Sequence, residues 1–163
     1  MNYEQLRSQA QDGDIVFFHT NPRDWMSRLT GLVTRSRFSH AAFVFWYRDR
    51  LMIVESTTHQ GSRIVTMSTY ADREFELIKA PLLWSSIEDQ ALKQSGRASY
   101  GWWSAIYIGI REWLFTHAHI KLPPDRDNRN LACSEFVALT LGLEDPDISP
   151  GNLYNQLAVK AGA

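Results

Sequence analysis

The spacing of hydrophobic and polar residues changes several times along this chain, and it predicts both strands and helices. Five short stretches are apolar or alternating and are bounded by turn residues, which is the pattern of strands. They cover residues 15–18, 41–47, 51–55, 63–67 and 74–78. The second and third stretches are separated only by residues 48–50 and therefore predict a hairpin. Together the stretches predict an antiparallel sheet of four or five strands.

Helical spacing covers much of the remaining chain, at residues 2–10, 24–32, 86–96, 102–115, 133–142 and 149–157. Ser86 and Asp89 stand at the N-cap and N3 spacing, so we expect the third helix to begin there. The stretch 102–115 is the most apolar, but it contains charged residues and is shorter than the ~20 residues of a bilayer span, so we expect a buried core helix. The fold class is therefore α+β, with helices packed against the sheet.

Length, composition and charge limit the classes of protein to which this chain can belong. A chain of 163 residues with 44% hydrophobic residues predicts a single domain over 1–163. Its net charge of -1, with both signs spread along the chain, argues against nucleic acid as a partner and does not favour contact with a membrane. The polar N-terminus lacks the apolar core of a secretory signal, and the single cysteine excludes an intramolecular disulfide. We therefore expect a cytoplasmic protein.

Cys133 is the single cysteine, and it stands where a polar loop gives way to an apolar helix. A thiol at a helix N-terminus feels the positive end of the helix dipole, which favours the nucleophilic thiolate. The alternative interpretation is a small core residue, because a lone cysteine on a helix often serves only packing. Cys133, Val137 and Leu141 share one helix face, which predicts that the thiol lies at the end of a buried stripe.

A cysteine nucleophile needs a nearby base, and His40 at the start of a predicted strand is the candidate. If Arg48 and Asp49 form a two-residue turn, Glu55 lies on the same sheet face as His40 and diagonal to it. A carboxylate there would orient the imidazole, which is the third role in a catalytic triad. A register slip of one residue would turn Glu55 to the other face. Alternatively, Glu55 could simply cap a strand, and Thr57, Thr58 or His59 could be the polar partner of His40 instead.

Three other histidines have weaker claims to a function. His19 ends a predicted strand near the proposed site, and His117 and His119 have a spacing that could hold a metal ion. No convincing third ligand stands near them in the sequence. We therefore expect neither a metal nor another cofactor.

Five short motifs occur in an informative order: Gly13-Asp14-Ile15-Val16-Phe17, Ser39-His40, Val54-Glu55-Ser56, Tyr100-Gly101 and Cys133-Ser134-Glu135. The chain resembles the circularly permuted papain-like proteins of the NlpC superfamily, which include the YaeF/YiiX-type amidases and the lecithin retinol acyltransferase group. In ordinary members the cysteine helix precedes the histidine strand. Here His40 precedes Cys133, which is the permuted order. The tail, with Leu141-Gly142-Leu143 and Ser149-Pro150-Gly151-Asn152-Leu153-Tyr154, also looks like that of small phage and prophage members.

The resemblance implies a permuted papain-like fold with Cys133 as nucleophile, His40 as general base and Glu55 as the orienting residue. It also implies that Tyr100, Asp14 and Ser134 belong to the substrate site. Relatives often have an acidic residue after the tyrosine, where this chain has Gly101. The expected activity is hydrolysis of an amide bond through a thioester, on a peptide, a peptidoglycan-like peptide or a lipid amide.

Two alternatives stay open at the level of the sequence. The first is a lipid-directed acyltransferase or esterase that uses the same triad, favoured by the aromatic residues of the stretch 102–115. The second is a non-catalytic structural or binding protein, for example a phage-associated one, that keeps the fold without the reaction.

Overall fold

The computed structural model of the chain describes residues 1–57, 60–96, 99–100, 102–120, 122–123 and 130–160. The main sheet has five antiparallel strands in the order β4-β3-β2-β1-β5. They are β1 (Ile15–His19), β2 (Phe38–Tyr47), β3 (Arg50–Thr57), β4 (Gly61–Thr66) and β5 (Phe75–Ile78). The predicted antiparallel sheet is confirmed. Two short parallel strands, β6 (Ser99–Tyr100) and β7 (Asn130–Leu131), were not predicted.

The helices of the described residues follow the predicted order. They are α1 (Tyr3–Gln9), α2 (Trp25–Thr34), α3 (Trp84–Gln94), α4 (Trp102–Ala118), α5 (Cys133–Thr140) and α6 (Pro150–Lys160), with a 3₁₀ helix at Met67–Tyr70. None of the helices in the described parts of the chain has the length and apolarity that a membrane crossing requires. The α+β fold class is therefore confirmed.

Two helices depart from the prediction. The start expected at Ser86 is wrong, because α3 begins at Trp84, whose indole stacks on Phe45 at a centroid distance of 5.4 Å. The Ser86 hydroxyl donates back to the carbonyl of Leu83 at 2.6 Å instead of capping the helix. The predicted burial of α4 is also only partly correct. Ile110, Trp113 and Phe115 are each about half exposed, because only one face of α4 meets the domain.

Side chains of the sheet form two cores, one on each face. Ile15 and Phe17 of β1 pack on the side of α5 and α6, while Val16 and Phe18 pack on the side of α1. A strand covered on both faces needs apolar residues at every position, which explains the uninterrupted apolar run of β1. Helix α5, which begins at Cys133, therefore rests directly on the sheet.

The β2–β3 hairpin has the register that the two-residue turn predicted. Pairing runs from Tyr47 opposite Arg50 to Phe43 opposite Val54, and Arg48 adopts a positive φ of 56° in the turn. Beyond Val54, β3 continues along β4 as far as Thr57, while β2 continues along β1. At this end of the sheet each strand thus follows a different neighbour, and the candidate site lies here.

Asp14 fixes the opposite end of β1. Its carboxylate is 1% exposed and accepts hydrogen bonds from the backbone N–H groups of Gln11 (2.8 Å) and Ala80 (3.0 Å) and from Lys79 Nζ (2.9 Å). These contacts tie the turn before β1 to the chain that leaves β5. A buried carboxylate with three donors stabilises the fold, because each donor would otherwise lose its partner.

We expect Asp14→Ala to lower the free energy of unfolding by about 1–3 kcal/mol, since it removes the buried acceptor of two backbone N–H groups and of Lys79. Urea denaturation followed by circular dichroism measures this change. Asp49→Ala, which removes an exposed carboxylate from the hairpin turn, is the matched control and should leave stability unchanged. Wild-type stability in Asp14→Ala would contradict this structural role.

Candidate active site

Cys133 is the first residue of α5, which the sequence pattern predicted. Just before it, the Ala132 N–H donates to Glu135 Oε2 at 3.0 Å, which satisfies one of the donors that a helix start leaves open. Phe136, Val137 and Ala138 are fully buried, so the helix is anchored by its apolar side chains. Cys133 itself is 6% exposed, at the end of this buried stripe.

The thiol of Cys133 forms a hydrogen bond with the imidazole of His40 on β2. The backbone N–H groups of Ala41 and Ser134 also donate to the sulfur. The sulfur can therefore carry a negative charge with three donors around it. β2 and β3 separate at this end of the sheet, and α5 packs against β2.

Glu55 holds the other side of the imidazole. Its Oε2 lies 2.7 Å from His40 Nε2, which leaves Nδ1 of the ring for the thiol. The Glu55 side chain is fully buried, whereas the His40 side chain is 17% exposed. Among the alternative partners, Thr57 donates to the Gly61 carbonyl at 3.5 Å, and Thr58 and His59 lie outside the described residues.

Two further residues complete the surroundings of Glu55, and neither was predicted. Arg63 Nε and the Tyr70 hydroxyl donate to Glu55 Oε1 at 2.9 and 2.6 Å. Arg63 Nη2 also donates to the Tyr70 oxygen at 2.9 Å. Arg63 stands directly opposite Glu55 in the β3–β4 pairing, so a predicted register for these strands could have found it. No local pattern points to Tyr70.

The electrostatics of the three central groups favour an ion pair. Burial lowers the pKa of His40, but the charge and hydrogen bond of Cys133, together with Glu55, outweigh it and raise the pKa to about 10. Burial raises the pKa of Cys133, but the charge and hydrogen bond of His40 and two backbone donors bring it below its ordinary value. Both shifts favour a thiolate beside an imidazolium near neutral pH.

The pKa of Glu55 is lowered although the group is buried. Burial by itself raises this pKa, and the hydrogen bonds and charge of His40, with those from Tyr70 and Arg63, reverse the direction. Glu55 therefore stays a carboxylate at neutral pH, which is the form that stabilises a protonated imidazole.

Cys133 and His40 line a cleft of about 320 Å³. Asp24, Ser27 and Thr30 line it from α2 and its start, and Arg73 also contributes. The lining is therefore largely polar. Another depression of about 320 Å³, beside Arg111 and Asp145, contains neither the thiol nor the imidazole.

Two of the three residues that the family resemblance implied for the substrate site, Asp14 and Ser134, do not line this cleft with their side chains. Asp14 precedes β1, whereas His40 pairs with Phe18 four residues further on, which is about 13 Å along an extended strand. The Ser134 hydroxyl is buried and donates to the Ile148 carbonyl at 2.5 Å, so only its backbone faces the thiol. The side chain of Tyr100 lies outside the described part of the chain.

Two of the other histidines, His19 and His119, do not line the cleft that contains the thiol. His19 Nε2 contacts Glu76 Oε1 at 3.1 Å, and His119 is exposed with a positive φ of 54°. The side chain of His117 lies outside the described residues. Within the described residues, no group of three or more histidine, cysteine or acidic side chains has an arrangement that could hold a metal ion.

Comparisons with known proteins agree with this architecture. Residues 9–95 match the family described as permuted papain-like amidase enzyme, YaeF/YiiX, C92 family, and this match covers just over half of the 163 residues. His40, Glu55, Arg63 and Tyr70 lie inside the matched range, and Cys133 lies beyond it. A search of curated proteins gave no match. The chain therefore belongs to the YaeF/YiiX family of permuted papain-like amidases.

Proposed function

We propose that the chain hydrolyses an amide bond of a peptide or a lipid amide through a thioester intermediate on Cys133. The observation that carries this proposal is that the thiol of Cys133 and the imidazole of His40 line one cleft, with Glu55 Oε2 2.7 Å from Nε2 of the ring. A buried thiol that served packing alone would not need a charged base and two backbone donors.

In the first half of the reaction, the Cys133 thiolate attacks the carbonyl carbon of the amide. A tetrahedral adduct forms, and the negative charge passes to the carbonyl oxygen. When the adduct collapses, the C–N bond breaks and His40 gives its proton to the leaving amine. The acyl group then remains on the sulfur as a thioester, and the imidazole is neutral.

In the second half, water enters beside the neutral imidazole. His40 takes a proton from the water as its oxygen attacks the thioester carbonyl, so the imidazolium is restored. Collapse of this second adduct breaks the C–S bond, releases the carboxylic acid and returns the thiolate. Glu55 stays ionised throughout and holds the ring in one orientation.

The N-terminus of α5 supplies stabilisation for the oxyanion of both adducts. The backbone N–H of Cys133 belongs to the first turn of this helix, where N–H groups lack intrahelical acceptors and the dipole is positive. A preorganised donor of this kind acts on charge that develops only in the transition state.

We expect Cys133→Ala to abolish turnover of a panel of peptidyl and fatty-acyl aminomethylcoumarin amides, with little change in thermal midpoint. The reason is that alanine removes the nucleophile and leaves the buried stripe of α5 in place. Mass spectrometry after addition of p-nitrophenyl butyrate should show one butyryl group on the wild type and none on Cys133→Ala. Turnover that persists in Cys133→Ala would rule out the mechanism.

The rate of alkylation of Cys133 by iodoacetamide should rise with pH around a midpoint clearly below ~8.5, the value of a free thiol. The lowered pKa of Cys133 keeps the thiolate down to that midpoint, and His40 stays protonated because its own pKa is about 10. In His40→Asn the midpoint should rise above ~8.5, since burial then acts without a compensating charge.

The control for this pH profile is His19→Asn, which removes an imidazole that contacts Glu76 rather than the thiol. Its midpoint should equal that of the wild type. A wild-type midpoint at ~8.5 that His40→Asn does not move would instead favour a non-catalytic thiol.

Tyr70→Phe should lower kcat for p-nitrophenyl butyrate about tenfold, because a hydrogen bond to a buried carboxylate is worth about 1.5 kcal/mol or more. KM should change little. Loss of this donor also raises the pKa of Glu55, so the acidic limb of the rate profile should move to higher pH. Tyr47→Phe, whose residue is 59% exposed, is the matched control. An unchanged kcat and acidic limb in Tyr70→Phe would contradict its role as a positioning residue.

A further inference from the structure

The helix α2 exposes a stripe of large apolar side chains. Three of its apolar residues, Trp25, Leu29 and Leu32, follow the spacing i, i+4, i+7 and therefore share one face. Trp25 is 66% exposed, Leu29 is 42% exposed and Leu32 is 77% exposed. We call these three residues the α2 stripe. A helix that served only the core would turn such a stripe inward.

Two small residues of α2 lie close to the domain. Ser27 is buried and its hydroxyl accepts a hydrogen bond from the Asn21 N–H at 2.7 Å. A Cβ atom at Gly31 would lie 2.8 Å from Thr20 Oγ1 and 3.1 Å from the Ser36 carbonyl oxygen, so only glycine permits this close approach. The helix thus contacts the domain at Ser27 and Gly31, and the α2 stripe lies at the surface.

The charge around the stripe is strongly positive, although the whole chain has a net charge of -1. Residues 23–37 contain four arginines and one aspartate. Arg23, Arg28 and Arg35 are exposed, while Arg37 contacts Glu76 at 3.0 Å. A chain that is nearly neutral as a whole therefore contains a basic segment around the α2 stripe.

We propose that α2 docks the protein on an anionic lipid surface, with the α2 stripe inserted and the flanking arginines at the headgroups. A helix that lies in a membrane interface combines tryptophan and leucine on one face with arginine beside them, as here. Basic residues add attraction to anionic lipid, and tryptophan favours the interfacial region. A flat surface also suits one straight stripe.

The neighbouring helix α4 also exposes large apolar side chains. It packs against α2, and its residues Ile110 and Trp113 are 48% and 51% exposed. Large apolar side chains at the surface of two packed helices are more than the scattered exposure that every protein shows.

Docking through α2 would bring the cleft to the lipid surface. The start of α2 and its inner residues Asp24, Ser27 and Thr30 line the same cleft as Cys133. This step rests on the proposed function. It narrows the substrate of that function to lipid-borne acyl amides. The docking itself depends only on α2 and its arginines.

Flotation with vesicles of phosphatidylcholine alone, or with 30% phosphatidylglycerol added, tests the proposal on the full chain. The wild type should float with the anionic vesicles and much less with the neutral ones. Leu29→Ser combined with Leu32→Ser should weaken this binding at least about tenfold, since two large apolar side chains are lost from the inserted face. Leu83→Ser combined with Val159→Ser is the matched control, because those residues are 79% and 78% exposed on other elements.

A second pair of variants tests the charge. Arg23→Glu combined with Arg28→Glu should abolish the preference for anionic vesicles, and added salt should weaken wild-type binding. Arg48→Glu combined with Arg50→Glu makes the same change of charge at the hairpin turn and should retain binding.

Three results would overturn the docking proposal: no flotation of the wild type, binding that the stripe variants do not weaken, or stripe variants that change only the oligomeric state. The last result would indicate a second copy of the chain as the occupant. Cys133→Ala should still bind vesicles, so failure of the proposed chemistry and failure of docking give different results.

Discussion

The site depends on a single buried charge, the carboxylate of Glu55. Removing a carboxylate from water costs several kcal/mol unless partners replace its hydration. Here both oxygens are occupied, Oε2 by His40 and Oε1 by Arg63 and Tyr70, so the group remains ionised inside the protein. Because it remains ionised, it favours the protonated imidazole, and the imidazolium in turn favours the thiolate of Cys133. The imidazolium therefore depends on the Glu55 carboxylate, and the thiolate depends on the imidazolium.

The three charged groups meet because β2 and β3 change their pairing partners near the site. β2 pairs with β3 only as far as Phe43, and then the two strands follow β1 and β4 respectively. Glu55 and Arg63 come from the β3–β4 pair, while His40 comes from β2. The N-terminus of α5 meets β2 at the same end of the sheet, where the Ala41 N–H donates to the sulfur. Four elements thus meet at one point, each held by its own apolar core contacts.

The exposed face of α2, beside the cleft, has a different physical origin. α2 approaches the domain closely at Gly31, where even a Cβ atom would crowd Thr20. Trp25, Leu29 and Leu32 lie at the surface instead, and large apolar side chains grouped on one exposed face mark an interaction site.

The sequence by itself determined those features that are local. Period-two and period-3.6 patterns identified the strands of the main sheet and the α-helices, and the short turn at Arg48 set the hairpin register that puts His40 and Glu55 on one face. Tertiary structure decided the rest. The start of α3 was displaced by the stacking of Trp84 on Phe45, and Tyr70 reached Glu55 from a 3₁₀ helix that no pattern marked. Periodicity reports which face of its own element a residue occupies, whereas contacts between distant elements depend on how those elements pack.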